Sequence, residues 1–211
     1  SRAAGRSCSS RHQRMAETAA TQTKNPKQKT EEYILATGRT LKCASNSSYS
    51  ILKRIGSGGY GDVYSVHRDS DMQPFALKAE TRMRKSTSRL NAECEVFHDI
   101  STTEPKKKAH FLEMVDKGKT ADFKFIVMTM SGYSLAMITK ALTPKTLPPP
   151  TIIYIATQTL AAIRDLHAIG YIHRDIKPGN FTVGLGDKAK TLFIIDFGVS
   201  RRYVEPTGQL R

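Results

Sequence analysis

The 211-residue sequence has no tryptophan, and only 8% of its residues are aromatic. Its three cysteines, Cys8, Cys43 and Cys94, are scattered, odd in number and without CxxC spacing. That usage speaks against a disulfide framework and suits reduced thiols in an intracellular protein of the cytoplasm or nucleus. No apolar run approaches the ~18 residues of a membrane span. The N-terminus lacks the apolar core of a secretory signal, which speaks against secretion. Acidic residues are scarce at that end. In the first thirty positions Arg2, Arg6, Arg11, Arg14, Lys24, Lys27 and Lys29 face only Glu17. The whole chain carries 33 Lys and Arg against 19 Asp and Glu, a net charge of +14. Such a balance favours acidic partners, or is simply a solvated basic surface.

Large apolar side chains are nearly missing from residues 1–48, which are rich in Ser, Ala, Thr, Gln and basic residues. With so little to bury, this stretch reads as a disordered basic tail. The chain begins at Ser1 and its first methionine is Met15, which leaves two candidate starts. From Tyr49 the pattern changes. Ser50–Ile55, Asp62–His67 and Phe75–Glu80 read as strands. Ser88–Ile100 reads as a helix, with Leu90, Phe97 and Ile100 at near-helical spacing. Phe111–Lys117 and Phe123–Met130 read as strands paired across a polar GKTAD turn.

Helices dominate after that. A short one spans Ser134–Lys140, and a Pro-rich TLPPPT linker follows. A long one spans Ile152–His167, capped by Thr151 and stopped at Gly170. Its apolar stripe is Ile152, Ile155, Ala156, Ile163 and Leu166. Strands first and helices later make an α+β chain.

Four segments carry chemistry. The first is GSGGYG: Gly56, Ser57, Gly58, Gly59, Tyr60 and Gly61. Set between two strands, its backbone N–H groups can lie over phosphates, because glycines remove the side chains that would block close approach. It opens onto a strand rather than a helix and lacks the GK[ST] ending, so it is neither a dinucleotide fingerprint nor a P-loop. Alone it is more often just a turn. The second is Lys78 in FALKAE, which could hold phosphates if a carboxylate fixed it. Glu93 and Glu95 are the candidates. Glu93 shares the inward stripe of Leu90 and Phe97, whereas Glu95 points about 200° away around the helix, so Glu93 is the expected partner.

The third segment is HRDIKPGN, His173 to Asn180. Asp175 can accept a hydroxyl proton, the Asn180 amide oxygen can bind Mg²⁺, and Lys177 can neutralise a transferring phosphoryl group. The fourth is IIDFG, in which a hydrophobic strand delivers Asp196, a carboxylate suited to Mg²⁺ between phosphates.

In this order the segments match the protein-kinase signature set. Tyr49 to Arg211 resembles protein kinases. The resemblance implies a kinase-like fold with a complete β-rich N-lobe (49–130), a hinge and the first part of a helical C-lobe (131–211). HRDIKPGNF, with Lys177 two after Asp175, is similar to serine/threonine rather than tyrosine kinases. YIHRDIKPGNF, IIDFGVSRRY and the following TGQLR resemble the casein kinase 1 group, nearest its tau-tubulin kinase branch and nematode relatives.

The resemblance also implies roles. ATP lies with its adenine between Ile55, Val63 and Ala76 above and the hinge beside it. Met128 is the gatekeeper, and the Thr129 carbonyl and Ser131 backbone bond the base. Lys78, tied to Glu93, holds the α- and β-phosphates. Asn180 and Asp196 hold Mg²⁺, Asp175 orients the substrate hydroxyl and Lys177 meets the γ-phosphate. Phe97 is expected to pack near Phe197 and His173. Partners are proteins bearing Ser or Thr, with acidic, primed or cytoskeletal sequences as the open classes, and the chain is expected to be a monomer. Further activation segment and C-lobe helices are expected past Arg211, so this piece alone is expected to be inactive and weakly folded. The competing reading is a pseudokinase scaffold, which the intact set Lys78, Glu93, Asp175, Asn180 and Asp196 argues against. A third reading makes the basic tail the binding element, and its sparse aromatics disfavour base stacking on nucleic acid.

Overall fold

A computed structural model of the chain describes residues 34–58, 61–81, 88–104, 108–144, 146–204 and 209–210. Six strands form one antiparallel sheet: β1 (Thr40–Lys42), β2 (Ser48–Gly58), β3 (Gly61–Arg68), β4 (Pro74–Thr81), β5 (Met114–Lys119) and β6 (Phe123–Thr129), in the order β1-β2-β3-β4-β6-β5. Helix α1 (Arg89–Thr102) interrupts the run after β4. Helices α2 (Leu135–Ala141) and α3 (Pro149–Ala168) follow. Two small two-stranded sheets complete the described part: β7 (Tyr171–Ile172) with β10 (Arg201–Arg202), and β8 (Phe181–Val183) with β9 (Leu192–Ile194).

The main sheet is apolar on both faces, and β4 shows why. Successive side chains of a strand point to opposite faces. Phe75, Leu77 and Ala79 enter an outer core with Tyr49, Ile51, Tyr64, Val66, Phe123, Phe125 and Val127. Ala76 joins an inner core with Ile126, Met128, α1 and the residues that follow the hinge. Lys78 is on the same face as Ala76, so its ammonium is aimed at α1.

The outer core is closed by Leu35, Leu41 and Cys43, each less than a tenth exposed. Residues 34–48, expected to belong to a disordered tail, are instead part of the fold. Residues 34–48 contribute β1, which pairs with β2 from Thr40↔Ser50 to Lys42↔Ser48. The Leu35 amide also donates to the Tyr64 hydroxyl at 3.0 Å. Residues 1–33 lie outside the described residues, as do Gly59 and Tyr60.

Two other expectations shift. The strand read as Phe111–Lys117 runs from Met114 to Lys119. Thr120 makes the turn, its hydroxyl accepting from the Asp122 and Phe123 amides at 3.3 and 3.2 Å. Phe111 instead bridges to Ile194. The long helix begins at Pro149, not after a Thr151 cap. Prolines fit its first turn because the N–H groups there need no partner inside the helix. Of the expected stripe, Leu166 is buried and Ile155 and Ile163 pack on the inner core, whereas Ile152 is 51% exposed. Among the described residues, no helix is long and apolar enough to cross a membrane.

Candidate active site

Antiparallel pairing sets the upper wall of the cleft. Gly56 lies opposite Val63, and Val63 opposite Lys78, across β2, β3 and β4. Gly58 pairs with Gly61 to close the hairpin. Gly61 has φ +129°, and a Cβ there would meet the Ala79 carbonyl oxygen at 2.2 Å. Only glycine allows the hairpin to lie this close to β4. Ala76 faces Met128 across β4 and β6, and both are buried. Ile55 is 43% exposed beside a bulge in β2. Thr129 and Ser131 are half-buried where β6 gives way to the hinge. The Gly132 amide fastens that hinge to β8 by donating to the Val183 carbonyl at 2.8 Å.

Lys78 has two carboxylate partners. Its Nζ donates to Glu93 Oε2 at 2.6 Å and to Asp196 Oδ1 at 2.8 Å. Burial would discharge the ammonium, but Glu93 and Asp196 outweigh it and raise its pKa, so Lys78 stays charged. Burial pushes the Glu93 carboxyl upward, while Lys78 and the Phe197 amide pull it back. Glu95, the alternative partner, is exposed.

Glu93 is in place because α1 is anchored at both ends. Ser88 is its N-cap, accepting from the Asn91 amide at 3.3 Å. Glu80 reaches from β4 to accept from the Ser88 hydroxyl and from the Arg89 amide at 3.1 Å. A carboxylate at a helix N-terminus satisfies free N–H groups and meets the positive end of the dipole. At the other end Asp99 accepts from the Tyr171 hydroxyl at 2.6 Å and from Arg202. The Arg202 guanidinium lies 4.6 Å from the Tyr171 ring centroid. Burial and then Asp99 push the Tyr171 hydroxyl up to about 12, so it remains a donor at neutral pH.

The lower wall comes from the loop after β7. Asp175 Oδ2 accepts from Lys177 Nζ at 2.6 Å and from Asn180 Nδ2 at 3.0 Å. The Lys177 ammonium, followed by Asn180, holds the Asp175 carboxyl below the usual carboxylate range. It is therefore ionised at neutral pH and able to accept a proton. Asn180 Nδ2 also donates to the Asp175 carbonyl at 2.8 Å. With both amide protons so used, its Oδ1 is left as an acceptor.

His173 joins this loop to the segment that follows β9 and carries Asp196. Its Nε2 lies 3.0 Å from the Ile195 carbonyl, and its Nδ1 accepts from the Asp175 amide at 3.3 Å. Those contacts define a neutral ring, and burial lowers its pKa below the ordinary value. Phe197 is fully buried, with its ring centroid 5.5 Å from Phe97 and 5.7 Å from His173. Arg174 and Asp196 have φ of +69° and +68°. Non-glycine residues in that region cost about 1–3 kcal/mol each and persist where surrounding bonds over-determine them.

Residues 49–209 match the protein kinase domain family. The chain belongs to the protein kinase family.

A Caenorhabditis elegans protein assigned by its name to the serine/threonine-protein kinases is 37% identical over 166 residues, 75% of this chain and 44% of the relative. A second, so named, is 41% identical over 142 residues, 67% of this chain and 43% of the relative. A third nematode protein, assigned by name to casein kinase I, is 32% identical over 163 residues, 76% of this chain and 46% of the relative. The chain thus spans less than half the length of these relatives.

In this kinase domain Lys78, Glu93 and Asp196 form one cluster, and Asp175, Lys177 and Asn180 a second. His173 and Phe197 connect them. Phe97 meets Phe197 as expected. Sequence reasoning missed Glu80, Phe111 and the Asp99–Tyr171–Arg202 group. Phe111 adds a third ring against Phe197 at 6.2 Å. Glu80 had a local signal, since an acid two residues after Lys78 shares its face of the strand. The Asp99 group spans three distant segments and has none.

Proposed function

We propose that the protein is a serine/threonine kinase of the casein kinase 1 group, nearest the tau-tubulin kinase branch, transferring the ATP γ-phosphate to Ser or Thr hydroxyls of proteins. The observation that carries this reading is Lys78 held between Glu93 at 2.6 Å and Asp196 at 2.8 Å, with Phe197 sealed behind them. A buried lysine kept charged by two carboxylates suits a phosphate clamp. The HRDIKPGNF segment, with Lys177 two residues after Asp175, supports Ser/Thr over Tyr as acceptor.

In this reading Gly56 to Gly61 cover the phosphates, and Val63, Ala76 and Met128 enclose the adenine beside Thr129 and Ser131. Lys78 holds the α- and β-phosphates. Asn180 Oδ1 and the Asp196 carboxylate fit Mg²⁺, which prefers oxygen ligands and takes one or two from protein beside phosphate and water. When bound, Mg²⁺ neutralises phosphate charge. Asp175 orients the acceptor hydroxyl and receives its proton. Lys177 balances the charge on the moving phosphoryl group. Kinase catalysis is chiefly positioning and electrostatics, and each role here is of that type.

The test is transfer from γ-³²P-ATP to casein by the full-length protein, followed by phosphoamino-acid analysis. Label on serine and threonine is the expected result. Label on tyrosine would overturn the acceptor class, and ATP binding without transfer to casein or to any protein of a cell extract would favour a scaffold.

A further inference from the structure

Strand β3 has two faces where it leaves the glycine-rich hairpin. Side chains alternate along a strand. Val63 packs on the inner core, whereas Tyr64 and Val66 belong to the outer one. Asp62 shares the outer face with them. It follows Gly61 directly and stands opposite Ser57 across the hairpin. It is a carboxylate only 7% exposed, on a face that is otherwise largely apolar.

Three donors satisfy Asp62. Its Oδ2 accepts from the Tyr64 hydroxyl at 3.1 Å and from the Ile34 amide at 3.4 Å, and its Oδ1 from Arg54 at 3.5 Å. The Tyr64 hydroxyl in turn accepts from the Leu35 amide at 3.0 Å. Burial raises the Tyr64 pKa, so the phenol keeps the proton that it shares with Asp62.

Ile34 and Leu35 open a strap that is fixed along its length. The Gly38 amide donates to the Ile51 carbonyl at 2.8 Å, and the Ile51 amide to the Arg39 carbonyl at 2.9 Å. The Arg39 guanidinium lies 5.3 Å from the Phe123 ring centroid. Leu35 and Leu41 are buried in the outer core. The hairpin has less to hold it. Gly56, Gly58 and Gly61 offer no side chain to pack, and glycine loses the most freedom on ordering. The first side chain after Gly61 is Asp62, and it is bonded to the strap.

We propose that Asp62 and Tyr64 are positioning residues for nucleotide binding, through which the N-terminal strap holds the glycine hairpin at the height its phosphate contacts need. The inference rests on the reading of Gly56 to Gly61 as the phosphate cover. The two residues touch no nucleotide. They act from the outer face of the sheet, as support for groups that do.

The probe is mant-ADP with Mg²⁺, titrated into the full-length protein, with KM for ATP and kcat for transfer to casein measured in parallel. Asp62→Ala and Tyr64→Phe should each raise the ADP Kd and the ATP KM about five- to tenfold, with kcat within about twofold, as expected for one or two lost hydrogen bonds. Asp62→Asn keeps an acceptor and should retain most of the affinity. Leu41→Ala loosens the same core without removing any donor to Asp62, so it should lower the unfolding midpoint and leave the Kd unchanged. If Asp62→Ala fails to fold, Tyr64→Phe carries the test. Unchanged Kd in the folded variants would overturn the proposal. So would equal weakening in Leu41→Ala, which would mark general loosening, or a fall in kcat at constant KM. A parent protein that binds no mant-ADP would instead overturn the kinase reading, and this inference with it.

Discussion

Replacing Lys78 by methionine keeps much of its volume and removes the charge between Glu93 and Asp196. Glu93 is 2% exposed, so its carboxylate then lacks a counter-ion in a dry site. Removing one member of a buried pair costs about 3–5 kcal/mol. The charge penalty has a ceiling, because Glu93 can take up a proton. From an ordinary carboxyl value of 4.5, protonation at pH 7 costs about 3.4 kcal/mol and at pH 5 about 0.7, at 1.36 kcal/mol per unit. Lys78→Met should therefore destabilise the chain by about 3–4 kcal/mol at pH 7 and by about 1 kcal/mol at pH 5. The sign follows from Glu93 having a folded pKa above its unfolded one, so stability is retained at low pH and lost as pH rises. The double variant Lys78→Met/Glu93→Leu should regain most of the loss at pH 7, since an apolar pair can replace a buried ion pair. Urea unfolding at both pH values, with m unchanged, reads these differences. A penalty that does not vary with pH, or a double variant no more stable than the single one, would refute the reasoning.

Gly61→Ala should cost roughly 2–3 kcal/mol and weaken nucleotide binding, because φ +129° and the Ala79 carbonyl leave no room for a methyl group; urea unfolding and an ADP titration check it. Glu80→Ala removes the acceptor of three donors at the start of α1 and should cost about 1–2 kcal/mol by the same unfolding assay. His173 is held neutral, with its folded pKa below the ordinary 6.5. Its contribution is therefore full above pH 6.5 and declines as the unfolded state takes up protons below it. Comparing the pH dependence of unfolding with that of His173→Phe should show a shallower acid slope in the variant.

The side-chain cluster around Lys78 and the Asp175 loop were more legible than the boundaries of the fold. Lys78, Glu93, Asp175, Asn180 and Asp196 are tied to short segments whose residue types and spacing are demanding, and helical geometry separated Glu93 from Glu95. The start of the sheet was not legible. Leu35, Leu41 and Cys43 are isolated apolar residues in a polar stretch, and they become core only when β2 and β3 supply a surface to cover. The prolines before Ile152 read as a linker because their usual effect is to break helices, yet three in a row can lead into a first turn. Gly118 and Thr120 both lie in a turn-like segment, and only cross-strand pairing shows that the first belongs to β5. Asp99, Tyr171 and Arg202 meet through tertiary structure alone, the first two lying 72 positions apart in the sequence.

In the proposed reaction Asp175 orients the acceptor hydroxyl and receives its proton, and it is not needed for ATP binding. The most direct measurement is kcat for transfer to casein, together with ATP affinity, in full-length protein and its Asp175→Asn variant. Positioned proton acceptors contribute roughly 10²–10⁴-fold, so kcat should fall by at least about 100-fold with ATP affinity unchanged. Turnover within about tenfold of the parent, beneath that range, would contradict the account.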